Sequence, residues 1–221
     1  MFDKEALLNA LDQLGKAAVD AGQRLEIAVY GGAALMLASN FRFSTEDVDI
    51  AAIEIPWPEW LSKAVCDIAD TNRWSADWLN DAVSFHLSKA AGSDDHMLLG
   101  SFPRGSDGLG LTVSIPSPEY MLALKLKAMR VNDPAKGKSE INDIKALLEI
   151  NGVTRIEDAI QILGRYFPNS AASAEKQIFI LKNVFAAHFQ PDLKSQEADN
   201  APRYPVRSRT PRKGRGDGFE R

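Results

Sequence analysis

Two glycines stand between a segment typical of a β-strand and one typical of a helix, and they constrain the fold more than any other feature. The strand is predicted over residues 25–30, and Gly31 and Gly32 follow it directly. Because glycine has no Cβ, its backbone can approach another group closely, and the helix that follows offers free N–H groups at its start. The sequence therefore predicts a strand–turn–helix unit whose glycine turn cradles a phosphate.

Two aspartates follow in the next predicted strand, over residues 47–55. Because Asp47 and Asp49 alternate with Val48 and Ile50, their side chains are predicted on one face of the strand. Two adjacent carboxylates repel each other unless a cation lies between them. Such oxygen ligands suit Mg²⁺, which is held by one or two carboxylates together with substrate phosphates. The alternative is an acidic pair that is only solvated at a strand edge.

A lysine is predicted at the centre of an apolar helix face. In the helix expected over residues 119–131, Lys125 lies among Met and Leu positions, whereas Lys127 points away from them. A lysine in such a place needs an anionic partner. One interpretation is that Lys125 meets a triphosphate beside the two aspartates. The other is that its side chain snorkels to the edge of the helix.

Two acidic residues begin the next predicted helix, over residues 139–150. Glu140 lies on its apolar side and Asp143 at the margin of that side. An ion pair between either carboxylate and a basic partner such as Lys125 is favoured over direct metal binding. The alternative is that the helix dipole alone accounts for acidic residues in the first turn. Arg42, in the loop before the aspartates, is predicted either to contact a phosphate or an acceptor backbone, or to be an exposed loop arginine.

Taken in order, these residues resemble the nucleotidyltransferase superfamily of the DNA polymerase β type. The stretch from Val29 to Ile50 looks like the AbiEii-type toxin nucleotidyltransferases and related bacterial proteins. Residues 117–128 resemble the family's proline-led helix that carries a lysine, and residues 140–144 resemble its acidic helix start, with Glu140 in place of an aspartate. The resemblance covers roughly residues 25–150. It implies catalytic roles for Asp47, Asp49, Lys125 and Asp143, metal binding by Asp47 and Asp49, and nucleotide binding by Gly31, Gly32, Arg42, Thr45 and Lys125. The alternative for Thr45 is a simple turn or strand-start role.

The activity that the resemblance implies is the Mg²⁺-dependent transfer of a nucleoside monophosphate from an NTP to an acceptor. By resemblance, the acceptor is an RNA such as tRNA, and the protein is a toxin restrained by a separate antitoxin protein. AMP transfer to a protein would use the same residues.

One part of the family pattern is missing. Many members of the superfamily carry a third carboxylate on a later strand, and the strand predicted over residues 108–115 has none. The general base stays open among Asp143, Glu54 and a hydroxide held by the metal. The alternative hypothesis is therefore a catalytically weakened protein that binds a nucleotide or a partner without turnover.

Length and composition place these motifs in a globular chain. Of the 221 residues, 45% are hydrophobic and 25% are charged, which are ordinary values. The predicted fold is α/β (α+β), with a nucleotidyltransferase-like small mixed sheet flanked by helices. Residues 1–115 are predicted as the core and residues 116–190 as a helical region. Residues 191–221 are polar, Pro-rich and Arg-rich, which is typical of a disordered tail.

Charge and cysteine content narrow the classes of partner. Residues 203–221 carry a net charge of +5, which leaves −9 on the rest of the chain. A general nucleic-acid-binding surface is therefore disfavoured, although the tail alone could bind phosphates with a steep salt dependence. The single cysteine, Cys66, excludes an intrachain disulfide and reads as a small core residue. Without a secretory signal or an apolar run of about 20 residues, a cytoplasmic protein with no membrane association is expected.

Overall fold

The structure is a computed structural model. It describes residues 1–39, 42–51, 56–105 and 110–189. Within these residues it confirms the predicted mixed α/β class, with a mixed sheet flanked by helices. The predicted tail, over residues 191–221, lies outside the described residues, and so does Glu54 with the end of the second predicted strand.

The sheet has five strands among the described residues. They are β1 (Arg24–Tyr30), β2 (Val48–Ala51), β3 (Leu79–Asn80), β4 (His96–Phe102) and β5 (Gly110–Pro116). Their spatial order is β3-β2-β1-β5-β4. The central strand β1 is antiparallel to β2 and parallel to β5, while β3 runs parallel to β2 and β4 antiparallel to β5. The sheet is therefore mixed, with β3 and β4 at its edges.

Helices precede, connect and follow the strands. In the described parts of the chain they are α1 (Lys4–Asp20), α2 (Gly31–Ala38), α3 (Glu59–Asn72), α4 (Pro118–Ala128), α5 (Gly137–Ile150), α6 (Ile156–Tyr166), α7 (Pro168–Ala172), α8 (Glu175–Val184) and α9 (Ala186–Phe189). Two short 3₁₀ helices, Ala82–His86 and Ser93–Asp95, lie between β3 and β4.

Local sequence explains where α1 and α4 begin. At α1, the side chain of Asp3 accepts a hydrogen bond from the backbone N–H of Ala6 at 2.9 Å, which satisfies one of the free donors at the helix start. At α4, Ser117 accepts from the N–H of Tyr120, and Pro118 takes the first position, where no N–H is needed. Both helices are thus fixed at their N-termini before packing is considered.

Strand register separates the sheet into two faces. Val29 and Ile50 are opposite each other in the β1–β2 ladder and are both fully buried in the core. The next pair, Tyr30 and Asp49, projects to the other face, because side chains alternate along a strand. On that second face the ring of Tyr120, from α4, meets the ring of Tyr30 edge-on. The face that carries Asp49 is therefore the one that α4 approaches.

One hydrophobic core joins the predicted core region and the predicted helical region. It runs from Phe2 through the sheet to Leu181 of α8 and to Phe185, which lies between α8 and α9. Residues Met1–Phe189 form one compact unit. Among the described helices, none is both long enough and apolar enough to span a membrane.

Candidate functional site

The two aspartates lie at the start of β2. Asp49 is in the strand, opposite Tyr30 on one side and beside Asn80 of β3 on the other, and Asp47 immediately precedes the strand. Both side chains are half-buried. We call Asp47 and Asp49 the acidic pair. The structure thus places both predicted metal ligands together at the edge of the face that carries Asp49.

The environment of Asp49 favours its protonated form. Burial is the largest cause that raises the pKa of Asp49, and the neighbouring charge of Asp47 raises it further. The positive charges of Arg130, Lys136 and Lys125 act in the opposite direction without cancelling the rise. Negative charge on both carboxylates is therefore unfavourable in this environment, and a divalent cation between them would relieve it.

The glycine turn is filled by the side chains of other site residues. Gly31 has a positive φ of 64°, and a Cβ placed there would lie 2.5 Å from Asp49 Oδ2. A Cβ on Gly32 would lie 2.7 Å from Arg42 Nη1. A Cβ at either position would push the neighbouring side chain out of its place, and at Gly31 the positive φ also disfavours any other residue. The predicted role changes in this respect: in the structure, the glycines make room for Asp49 and Arg42.

Arg42 links the glycine turn to the C-terminal helices. Its Nη1 donates to Asp143 Oδ2 at 2.8 Å, and its Nε donates to the carbonyl oxygen of Ser44 at 3.1 Å. The guanidinium is about one quarter exposed. Since a guanidinium has five N–H donors, further donors remain for an anion. The interpretation as a merely exposed loop arginine is wrong.

Lys125 forms a buried double ion pair. Its Nζ donates to Glu140 Oε2 at 2.8 Å and to Asp143 Oδ2 at 2.9 Å. Lys125 is 8% exposed, so its side chain does not snorkel to the helix edge. The ion pair predicted between the acidic start of α5 and a basic partner is present. We call Arg42, Lys125, Glu140 and Asp143 the ion-pair cluster.

The ion-pair cluster balances its own charge with two cations and two carboxylates. Asp143 Oδ2 accepts from both cations and is 6% exposed. This carboxylate is therefore poorly placed to take a proton from an acceptor hydroxyl, and its geometry suits a positioning role. Glu140 Oε1 is buried and has no hydrogen-bond partner among the described residues. Such a group is costly, because it has lost water without a replacement.

Thr45 does not fit its predicted role in nucleotide binding. It is 2% exposed, and its backbone forms both hydrogen bonds of an isolated bridge with Phe2. Its hydroxyl donates to the carbonyl oxygen of Asp47 at 3.0 Å. A ligand cannot reach a side chain that is buried and engaged in this way. The role of Thr45 is to hold the loop that leads into the acidic pair.

Sequence reasoning missed Asn80 as a neighbour of the site. β3 pairs with β2 in parallel, and this register sets Asn80 beside Asp49. The Asn80 Oδ1 atom accepts from the N–H of Ala82 at 3.1 Å, which orients the side-chain amide. Two residues earlier, Trp78 is buried and its Nε1 donates to the carbonyl oxygen of Val65. No local signal in the sequence indicated this pairing, because β3 has only two residues.

The described residues contain no group of three or more His, Cys, Asp or Glu that could hold a metal ion. On β5, Thr112 and Ser114 face the same side of the sheet as Asp49, and Ser114, in register with Ala28, is the one farther along the strand. Its hydroxyl donates to the carbonyl oxygen of Ile27 at 3.4 Å. A metal at this site would therefore have two protein carboxylates and would take its other ligands from substrate or water.

Comparison with known proteins adds no relative. Neither the protein-family models, the curated proteins nor the solved structures contain a match to this chain. The functional argument consequently rests on the acidic pair, the glycine turn and the ion-pair cluster.

Proposed function

We propose that the protein is a Mg²⁺-dependent nucleotidyltransferase that moves a nucleoside monophosphate from an NTP to an acceptor. The observation that carries this proposal is the convergence of the acidic pair with Arg42, across the two glycines. Residues from the α2–β2 segment and from α4 and α5 meet there, although Arg42 and Asp143 are 101 positions apart in the chain. A constellation assembled from such distant segments is typical of a functional site.

The acidic pair fits Mg²⁺ as a cofactor. Its donors are hard carboxylate oxygens, and Mg²⁺ is commonly bound through one or two carboxylates plus substrate phosphates. Burial and the charge of Asp47 raise the pKa of Asp49, so a cation bound there would offset an unfavourable negative charge. When bound, Mg²⁺ would offset the charge that develops on the phosphates during in-line displacement.

The chain's own groups would orient the nucleotide. Arg42 is held in place by Asp143 and Ser44 and still has guanidinium donors for a phosphate oxygen. Lys125 spends two of its three donors on Glu140 and Asp143, so its main role is to hold Asp143 against Arg42. We assign Asp143 and Lys125 as positioning residues for Arg42.

The reaction would proceed by attack of an acceptor hydroxyl on the α-phosphorus. A new P–O bond forms to the acceptor, the bond to the β-phosphate oxygen breaks, and pyrophosphate leaves. The hydroxyl proton passes to a base or to solvent. An RNA acceptor such as tRNA, a toxin role restrained by an antitoxin protein, and a cytoplasmic location are the parts of the proposal that rest on the resemblance alone.

A second candidate function is nucleotide or partner binding without turnover. The observation that favours it is the lack of a carboxylate on β5, where Thr112 and Ser114 face the same side of the sheet as Asp49. With two carboxylates, the site has fewer groups for activating an acceptor hydroxyl. In that case the protein would bind an NTP and leave it intact.

Label transfer separates the two functions. The protein is incubated with Mg²⁺, each α-labelled NTP and total bacterial RNA, beside the Asp47→Ala/Asp49→Ala variant. The control is Asp67→Ala/Asp70→Ala, which removes the same charge from exposed positions of α3. We expect the wild type and the control to transfer label and the Asp47→Ala/Asp49→Ala variant to transfer none. No transfer by the wild type above that variant, to RNA or to protein, would overturn the enzymatic proposal.

A further inference from the structure

Two exposed cations lie on the loop between α4 and α5. Arg130 follows the end of α4, and Lys136 directly precedes α5. Both side chains are exposed, and neither has an ion-pair partner in the part of the chain that the structure describes. Neither residue takes part in the ion-pair cluster. Asp133, on the same loop, interacts electrostatically with both cations, and its carboxylate accepts from the backbone N–H groups of Ala135 and Lys136. Because neither side chain forms an ion pair with Asp133, the side-chain N–H donors of both cations remain available to a ligand.

Hydrogen bonds and close packing hold this loop in one conformation. Met129 adopts a left-handed conformation that ends α4, and its N–H donates to the carbonyl oxygen of Lys125. Asp133 Oδ1 accepts from the N–H groups of Ala135 and Lys136 at 2.8 and 2.9 Å. A Cβ on Gly137 would overlap the carbonyl oxygen of Val131. The backbone that carries the two cations is therefore preorganised.

The loop lies next to the ion-pair cluster. The N–H of Glu140 donates to the carbonyl oxygen of Lys136, so these residues are one helical turn apart and share a side of α5 with Asp143. That side faces Lys125 and Arg42, and Arg42 lies against Gly32. Arg130 directly follows Met129, whose N–H donates to the carbonyl oxygen of Lys125, so Arg130 leaves α4 about one turn after that lysine. Hence the loop that carries both cations adjoins the ion-pair cluster, which Arg42 and the glycine turn connect to the acidic pair.

The charge balance of the site indicates what Arg130 and Lys136 would compensate. The ion-pair cluster is neutral, with Lys125 and Arg42 already offset by Glu140 and Asp143. A Mg²⁺ ion on the acidic pair would offset those two carboxylates. A bound triphosphate would then bring several negative charges that no group described so far compensates. Arg130 and Lys136 are the nearby cations without an ion-pair partner among the described residues.

We propose that Arg130 and Lys136 bind the β- and γ-phosphates of the nucleotide, and that they make the site select triphosphates over monophosphates. Arg130 would contact two phosphate oxygens through its planar guanidinium, and Lys136 would act as a point charge. This inference rests on the proposed function, because the β- and γ-phosphates belong to the NTP that the proposed reaction uses.

Binding of simple phosphates tests the inference without turnover. The probes are inorganic tripolyphosphate and AMP, each titrated with Mg²⁺ into the full chain by calorimetry. In Arg130→Gln/Lys136→Gln, we expect tripolyphosphate affinity to fall by about tenfold or more and AMP affinity to stay within about twofold. The control, Lys138→Gln/Lys145→Gln, removes the same charge from exposed positions of α5 and should keep wild-type affinities. Equal tripolyphosphate affinities in the two variants would overturn the inference.

Kinetics distinguish failure of the inference from failure of the proposed function. If the wild type transfers label and Arg130→Gln/Lys136→Gln keeps the KM of the control for the NTP, the inference fails and the proposed function stands. If the two cations are needed for tripolyphosphate binding but no label is transferred, the proposed function fails and the inference stands. Because both side chains are exposed and form no ion pair among the described residues, the variants should unfold at the wild-type temperature.

Discussion

The acidic pair and the ion-pair cluster lie close together but differ in their charges. The acidic pair consists of two like charges, whereas the cluster pairs its carboxylates with cations. Asp47 and Asp49 are half-buried like charges, and the pKa of Asp49 is raised by burial and by Asp47. Lys125, Glu140 and Asp143 are buried more deeply, yet each carboxylate accepts a hydrogen bond from a cation.

The difference indicates which group of residues contributes to ligand binding and which contributes to the stability of the fold. A cluster that balances its charge internally gains little from a ligand, but loses much when one member is removed. A pair of like charges behaves in the opposite way. A bound cation reduces the repulsion between the two carboxylates, and neutralising them by substitution does not destabilise the fold. We therefore expect function to depend on the acidic pair and stability to depend on the ion-pair cluster. Four predictions test this division.

The largest effect is expected when the acidic pair is neutralised. Asp47→Asn/Asp49→Asn should lower label transfer on the order of a hundredfold to a thousandfold or more, because the carboxylates that would hold the metal are gone. The midpoint of thermal unfolding should stay the same or rise, because repulsion is removed. Transfer and unfolding are measured on the same preparation. A large fall in the unfolding temperature would show that the acidic pair stabilises the fold, contrary to this division.

Loss of the lysine should have the largest effect on stability. Lys125→Met leaves two carboxylates buried with one cation, and the free energy of unfolding in urea should fall by about 3–5 kcal/mol. The matched control is Lys127→Met on the other side of α4, where the ammonium bonds the carbonyl oxygen of His86 and lies over the ring of Phe167. That variant should lose only about 1 kcal/mol.

A second substitution sharpens this result. Lys125→Met/Glu140→Gln removes one cation and one carboxylate, and Asp143 keeps Arg42. Its stability should exceed that of Lys125→Met alone. If both variants were equally unstable, lost packing at position 125 would explain the effect better than unpaired charge.

Alanine at Gly31 should disturb the acidic pair in two ways, by straining the backbone and by displacing the side chain of Asp49. Gly31→Ala forces alanine into a positive φ and pushes its Cβ against Asp49 Oδ2. Gly22→Ala has nearly the same φ and nothing within 4 Å, so it reports the backbone cost alone, about 1–2 kcal/mol. We expect Gly31→Ala to lose more stability than Gly22→Ala and also to lower transfer. Equal losses would mean that Asp49 moves aside without cost.

The smallest effect is a dependence of stability on pH. Because the pKa of Asp49 is raised in the folded protein, by burial and then by Asp47, the native state holds its proton more tightly than the unfolded chain. This contribution to stability is fully present below the unfolded pKa of about 3.9 and is lost as pH rises through the raised pKa. Wild-type stability should therefore fall relative to Asp49→Asn over that window, and added Mg²⁺ should narrow the difference. A constant difference across the pH series would contradict the prediction.

Local patterns were sufficient to predict much of the fold and part of the site. The β-branched and aromatic residues before Gly31 predicted β1, and the helical period around Lys125 predicted a lysine on a buried face, as the structure shows. The same period placed Glu140 inward, where it pairs with that lysine. These features depend on residues close together in the chain, so a period of two or 3.6 reveals them.

Features that depend on distant residues could not be predicted. β3 has only two residues and gives no period, so its position beside β2, and that of Asn80 beside Asp49, follows from the tertiary fold alone. Thr45 looked available to a nucleotide because nothing local indicated its bridge to Phe2. Cys66 was expected in the core, and it is exposed because it falls on the outer side of α3. Propensity carries no information about which surface a neighbouring segment will cover.

The contact between Arg42 and Asp143 has a consequence for the order in which the site forms. The two residues are separated by 101 positions, so this contact closes one of the longer loops of the chain. During synthesis, the acidic pair and the glycine turn leave the ribosome well before α5 does. A chain interrupted before α5 would carry both aspartates without the partner that fixes Arg42. A fragment of the protein would thus contain the predicted metal ligands without the partner that positions Arg42, and only a chain that extends through α5 would have the assembled site.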